Sequence, residues 1–280
     1  MTTSVILLII ASTATNGFWL IHLASGQPII ANKPPLPVIL IHGYFEDKSV
    51  WSEWQKLLQN KGIRSFPITF RGPDRYDECG SANQHALELA EIIKEVKMKT
   101  GQDKVNIVAH SKGGLDARVY LADNITRNDV ANLIMIGTPN AGSPLADLVV
   151  RSSLSFYAAF GNAFANYWLC KPAIYDLQTN AIDTHAAQNP NTNYYTIAGD
   201  WNPLSLPLCS AWAVDTPGFN YLRFYLPTGL HNDGVVPVDS VGSQSYFHDL
   251  TRSHPTSHCN QDLLGYEEYK LAEPILLGKQ

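Results

Sequence analysis

The stretch Val105-Asn106-Ile107-Val108-Ala109-His110-Ser111-Lys112-Gly113-Gly114 decides the reading of this chain. Val105 to Ala109 is apolar except for Asn106 and rich in β-branched side chains, which predicts a strand buried on both faces. The strand stops at His110-Ser111, and a helical run from Leu115 to Leu121 follows. A sharp strand-to-helix turn pushes a serine hydroxyl outward and presses its flanks against neighbouring backbone. Only small residues then fit two positions to either side. Ala109 and Gly113 meet that demand, and Gly114 keeps the far side open.

Outward from this segment the same punctuation recurs. Val38-Ile39-Leu40-Ile41, ending at His42-Gly43, predicts a second buried strand. A helix is expected from Trp51 to Asn60, broken by Gly62, and a strand from Arg64 to Phe70. The next helix is expected from Ala86 to Met98, with Leu87, Ala90, Ile93, Val96 and Met98 as its apolar positions and Gly101 as its stop. Downstream, Val130–Ile136 and Tyr194–Gly199 read as strands and Glu267–Leu277 as the last helix. Strands alternating with helices imply an α/β fold with a mostly parallel central sheet flanked by helices, because parallel strands need long crossovers. Ligands in such sheets bind beyond the carboxyl ends of the strands, which is where Ser111 falls.

The 280 residues are 45% hydrophobic and 16% charged, with a formal net charge of −5. That balance fits one packed domain and excludes a disordered or nucleic-acid-coating chain, as does the lack of any Lys/Arg-rich run. Residues 1–26 differ from the rest. Val5 to Ala11 and Phe18 to Ala24 are apolar, and no Lys or Arg precedes Lys33. The segment reads either as a signal peptide cleaved near Ala24-Ser25-Gly26 or as an uncleaved N-terminal membrane anchor. Both readings imply a protein secreted or held on the extracytoplasmic side. Residues 27–37 then form a linker, and 38–280 the domain. Cys79, Cys170, Cys209 and Cys259 contain no C-x-x-C pair, so no structural zinc is expected. Their even number behind an export segment predicts disulfides. Of three possible pairings, Cys170 with Cys209 comes first.

Ala109-His110-Ser111-Lys112-Gly113 resembles the nucleophile elbow of the α/β-hydrolases, in the A-x-S-x-G variant of some bacterial lipases. Ala109 departs from the commoner glycine. Ile41-His42-Gly43-Tyr44-Phe45 is similar to the segment that begins the lipase oxyanion loop, and His231-Asn232-Asp233-Gly234-Val235-Val236-Pro237 to the segment carrying a lipase aspartate. The resemblance extends from about Pro37 through the last helix. It implies an α/β-hydrolase fold and a serine carboxylic ester hydrolase, lipase or esterase, working through an acyl-enzyme on Ser111. It also implies that the backbone N–H groups of Tyr44 and Lys112 form the oxyanion hole.

The chain order Ser, Asp, His leaves choices in the second half. Asp233 is the first carboxylate, although Asn-Asp-Gly is also ordinary Asx-turn chemistry, and Asp200 is the reserve. His258 is the first base and His254 the second, with His248 in the same stretch. His42 and His110 read as hydrogen-bonded packing residues, and the Lys112 side chain as pointing to solvent or the cleft mouth. Residues 140–192 read as a cap insertion, whose aromatic stretch 154–169 would line an acyl pocket. The substrate expected is therefore an ester or lipid with an apolar acyl part. Membrane association through residues 1–26 is possible, and no nucleic acid, metal or organic cofactor is implied. Acyl transfer or polyester depolymerisation on the same triad, and a non-catalytic tethered binding protein of the same fold, are the competing functions.

Overall fold

Val38 and Leu40 pack into one hydrophobic layer and Ile39 and Ile41 into another, the alternation that a strand's two-residue period dictates. All four are fully buried. A strand covered on both sides in this way lies in the interior of a sheet. The computed structural model describes residues 20–22, 28–30, 34–44, 46–71, 79–151, 171–179, 181–182, 188–201, 220, 223, 231–258 and 264–279. The chain divides into two compact units, Met1–Pro35 and Leu36–Gln280.

In the first unit β1 (Leu20–His22) pairs antiparallel with β2 (Pro28–Ile30). This pairing joins residues on both sides of the boundary expected at residue 26. Among the described residues no helix is long and apolar enough to cross a membrane.

The second unit holds a six-stranded sheet in the order β4-β3-β5-β6-β7-β8. Its strands are β3 (Val38–Ile41), β4 (Ser65–Ile68), β5 (Val105–His110), β6 (Val130–Ile136), β7 (Asn193–Gly199) and β8 (Phe247–His254). All neighbouring pairs are parallel. Ile39, Ile107, Leu133 and Met135 face α2 (Ala82–Thr100) and α3 (Lys112–Ala122) on one side. Leu40, Val108, Ile134 and Ile197 face α1 (Ser52–Asn60) and the C-terminal helix (Tyr266–Leu276) on the other. In that second layer Trp54 meets Trp51 and Tyr269 edge to face, with ring centroids 5.6 Å and 5.3 Å apart. Such pairs add about 0.5–1.5 kcal/mol beyond their burial. This is the expected mostly parallel sheet with helices on both faces.

Two local expectations need correction. The helix expected from Ala86 begins at Ala82, because Ser81 and Gln84 form a capping box: the Ser81 hydroxyl accepts from the Gln84 backbone N–H, and the Gln84 side-chain Oε1 accepts from the Ser81 backbone N–H. Gly101, in the left-handed region at φ 67°, ends the helix as expected. Its inner face is Ala82, His85, Ala86, Leu89, Ile93 and Val96. Leu87 and Met98, read as apolar-face positions, are 71% and 70% exposed. Leu89 carries the packing instead, two residues on. The second correction is β8, which was not expected as a strand. Phe247-His-Asp-Leu-Thr-Arg-Ser-His carries polar and charged residues at most positions, since it is the edge of the sheet and much of it faces water.

The segment 140–192 contributes α4 (Pro144–Arg151) and α5 (Lys171–Asp176) among the described residues. Its aromatic stretch, 154–169, and the Cys170–Cys209 pairing lie outside the described residues, as do Cys209 and Cys259. Cys79 is disulfide-bonded.

The corrected face of α2 is open to test by chemical denaturation. Leu89→Ala is expected to cost about 2–5 kcal/mol, as truncation of a fully buried leucine does, and Leu87→Ala under about 0.5 kcal/mol. Equal losses would return Leu87 to the core.

Candidate active site

Ser111 has φ 50° and ψ −124°, the single non-glycine residue with positive φ among the described residues. Such a conformation costs about 1–3 kcal/mol and persists only where the surroundings enforce it. The enforcement comes from both sides. The Ser111 N–H donates to the Ile136 carbonyl at 2.9 Å, which carries the sheet one residue past the end of β5. After it the chain enters α3 at once. A Cβ on Gly113 would lie 2.5 Å from the His42 carbonyl oxygen, a backbone atom that cannot move aside. A Cβ on Gly43 would lie 2.8 Å from the Ser111 Cβ. The loop after β3 and the turn after β5 thus touch, because β3 and β5 are parallel neighbours whose carboxyl ends meet at Ile41 and Ala109.

Loops beyond β7 and β8 bring the other groups back to this point. Ser111 Oγ lies 2.9 Å from His258 Nε2, and His258 Nδ1 lies 2.7 Å from Asp233 Oδ2. A carboxylate oxygen only accepts, so Nδ1 carries the proton and Nε2 is left to accept from the serine hydroxyl. Asp233 is fully buried. Its other oxygen accepts the N–H groups of Val235 and Val236, at 2.9 and 2.7 Å. One oxygen therefore holds the turn while the other holds the imidazole. The two readings of Asn-Asp-Gly are compatible. The His258 N–H also donates to the Asp233 carbonyl at 2.8 Å, tying the two loops together.

The remaining candidates sit elsewhere. His254 ends β8 with Nε2 2.6 Å from Glu268 on the C-terminal helix. The Glu268 hydrogen bond raises its pKa, against the opposing effect of burial. Asp200 faces His231 Nδ1 at 2.8 Å. His248 lies within β8, its ring beside Tyr195. His42 Nδ1 donates to the Gly43 carbonyl at 2.8 Å, and His110 Nδ1 donates to Glu46 Oε2 at 2.8 Å. Lys112 opens α3, so its backbone N–H has no acceptor within the helix. Tyr44 follows the Gly43 contact and packs with Leu145, Val149, Ile174 and Val235. That apolar group joins α4 and α5 to the loops after β3 and β7.

The Lys112 side chain is the clear miss. It is 2% exposed, not in solvent or at the cleft mouth. Nζ donates to Asp116 Oδ1 at 2.6 Å and lies 4.0 Å from Asp176. His85 Nδ1 donates to the other Asp116 oxygen at 2.8 Å. Burial pushes the Asp116 carboxyl up, but Lys112 and His85 outweigh it and hold the group below its ordinary range. Asp176 accepts the Ala82 N–H at 2.6 Å. Its pKa is raised by burial, which Lys112 only partly offsets. The helical i,i+4 spacing of Lys112 and Asp116, opposite charges among small and apolar neighbours, is the sequence signal that could have found the pair. Glu46 and His85 left no such signal, being 64 and 31 residues from their partners.

Residues 37–195 match the family model described as alpha/beta hydrolase fold. Triacylglycerol lipase 2 of Saccharomyces cerevisiae is 40% identical over 199 residues, covering 68% of this chain and 56% of that protein. A triacylglycerol lipase of Pseudarthrobacter phenanthrenivorans is 33% identical over 142 residues, covering 46% and 43%. The chain thus spans about half the length of the curated relatives it matches. Among solved structures, the mature form of Bacillus licheniformis lipase BlEst2 superposes with a TM-score of 0.65 at 23% identity, over 88% of this chain and 94% of that one. That is a likeness of fold.

Two measurements probe the polar groups around the site. Lys112→Met leaves Asp116 buried without its cation and is expected to cost about 3–5 kcal/mol by urea denaturation at neutral pH. For His254, a raised folded-state pKa adds stability below the ordinary imidazole range and loses it as pH rises through the raised value. The deficit of His254→Ala, followed by urea midpoint from about pH 5.5 to about 8.5, is therefore expected to shrink as pH rises. A deficit that grows instead contradicts the assignment.

Proposed function

Because the chain belongs to the alpha/beta hydrolase fold family, we propose that it hydrolyses carboxylic esters, with Ser111 as nucleophile, His258 as base and then acid, and Asp233 as orienting carboxylate. The observation that carries the reading is the hydrogen-bonded chain from Ser111 Oγ through His258 to Asp233, at 2.9 and 2.7 Å. The relatives described as triacylglycerol lipases support the same class of reaction.

The chemistry follows from the proton positions. His258 Nε2 takes the Ser111 proton as Oγ attacks the ester carbonyl, and Asp233 stabilises the imidazolium formed. The tetrahedral oxyanion is held by the backbone N–H groups of Lys112 and Tyr44. As the intermediate collapses, Nε2 delivers its proton to the departing alkoxide, leaving the acyl group on Ser111. A water molecule, deprotonated by the same nitrogen, then attacks the acyl carbonyl. The acid leaves and the serine regains its proton. The apolar group of Tyr44, Leu145, Val149, Ile174 and Val235 beside the site supports an acyl part that is itself apolar.

A fluorophosphonate probe tests the nucleophile, and hydrolysis of p-nitrophenyl esters of increasing chain length tests the substrate. The native protein is expected to be labelled and to prefer longer acyl chains. Ser111→Ala should escape labelling and lose at least about 10⁴-fold in kcat. Equal labelling of both proteins defeats the assignment.

A further inference from the structure

Glu46 is a charged residue in a loop that the ester chemistry leaves without a role, yet it bonds to two parts of the site and reaches a third through one of them. Its Oε2 accepts the Gly43 N–H at 2.6 Å and the His110 Nδ1–H at 2.8 Å. Gly43 belongs to the loop carrying the Tyr44 N–H, and His110 immediately precedes the nucleophile. The His110 ring in turn lies 5.0 Å from the His258 ring, tilted by 35°.

The next peptide is held as well. The Gly43 carbonyl, on the peptide that bears the Tyr44 N–H, accepts from His42 Nδ1 at 2.8 Å and from the Glu46 N–H at 3.4 Å. Glu46 thus braces two consecutive peptides of the loop, one through its side chain and one through its backbone. Its carboxyl is largely buried, at 14% side-chain exposure. Burial raises its pKa, but His110, the Gly43 N–H and His258 together bring it below the ordinary range, so the group is an anion at neutral pH.

We propose that Glu46 is a positioning residue for ester hydrolysis: it holds the Gly43-Tyr44 loop against the nucleophile strand and, through the His110 ring, supplies a second negative charge behind His258. The charge matters because His258 becomes an imidazolium in the transition state, and its side chain is largely buried, where solvent screens charge weakly. The titratable groups about that imidazole include Asp233 from the loop after β7, His110 from β5 and Glu46 from the loop after β3. Two of these three are carboxylates, and of the two it is Asp233 that hydrogen-bonds to the ring. The proposal rests on the reading of Ser111 and His258 given above.

Glu46→Gln separates charge from shape, since the amide oxygen can still accept from Gly43 and His110. It is expected to lower kcat about tenfold while KM stays within about twofold, a loss confined to the transition state. The acidic limb of kcat/KM should move to lower pH, because removing a nearby anion makes protonation of the base less favourable. Glu46→Ala, which also removes the brace, is expected to lose about 10²-fold in kcat. Thermal unfolding of each variant reports on folding separately. An unchanged kcat and an unchanged acidic limb in a folded Glu46→Gln protein overturn the role of Glu46. So does a Glu46→Ala loss that only parallels its loss of thermal stability while Glu46→Gln behaves as native. Fluorophosphonate labelling and ester turnover of the native protein, run alongside, distinguish that failure from failure of the esterase reading. An unlabelled, inactive native protein overturns the esterase reading and this one with it.

Discussion

Ser111 is held at φ 50° and ψ −124°, a conformation that its side chain disfavours, and the architecture around it is the means of keeping it there. The strain has a purpose in geometry: the chain turns so sharply between β5 and α3 that the hydroxyl stands clear at the sheet's carboxyl edge, in reach of a loop three strands away. Three close approaches make the turn possible. Gly113 lies against the His42 carbonyl, Gly43 against the Ser111 Cβ, and the Ser111 N–H is captured by Ile136. Each depends on the register of parallel strands, so a shift in β3 or β6 would release the serine.

Around this turn the protein places three carboxylate–imidazole pairs: Asp233 with His258, Glu46 with His110, and Asp116 with His85. All are largely buried, where an unpaired charge is costly and a paired one is rigid. The pairs sit on different elements. One joins the loops after β7 and β8, one joins the loop after β3 to β5, and one joins α2 to α3, with Lys112 and Asp176 extending it to α5. A polar network of this kind contributes less to net stability than the apolar layers on either face of the sheet. Its contribution is to fix loop positions relative to one another, which apolar packing alone does loosely. The nucleophile region is thereby anchored to both halves of the chain.

Much of the fold was legible in the sequence because parallel strands buried on both faces are written as continuous apolar runs. Val38–Ile41, Val105–Ala109 and Val130–Ile136 fall where that pattern predicts, and Gly101 stops α2 as it should. Ser111 was legible for a related reason: the small residues its turn requires are local, and Ala109 and Gly113 lie within two positions of it. Where the pattern weakened, the reading did too. β8 is an edge strand with one wet side and lacks the run, and the inner face of α2 was misjudged because Leu87 and Leu89 are both apolar and only packing chooses between them.

The serine at the end of its strand, the α/β alternation and the short list of carboxylates and histidines were determined by the sequence alone, since each depends on residues adjacent in the chain. Which histidine faces Ser111 was decided only in three dimensions. His254 and His258 are four residues apart, yet one ends a strand and turns to Glu268 while the other lies beyond it and reaches Ser111. The Lys112 side chain shows the same limit more sharply. A lysine beside a nucleophile reads as solvated, because charge is costly to bury, and nothing nearby in sequence except Asp116 offsets that cost. Its surroundings are completed by His85 and Asp176, brought from 27 residues before it and 64 after it by the packing of α2, α3 and α5. Ionic partners of this kind are chosen by tertiary contact, and the electrostatics of the site had to await the fold.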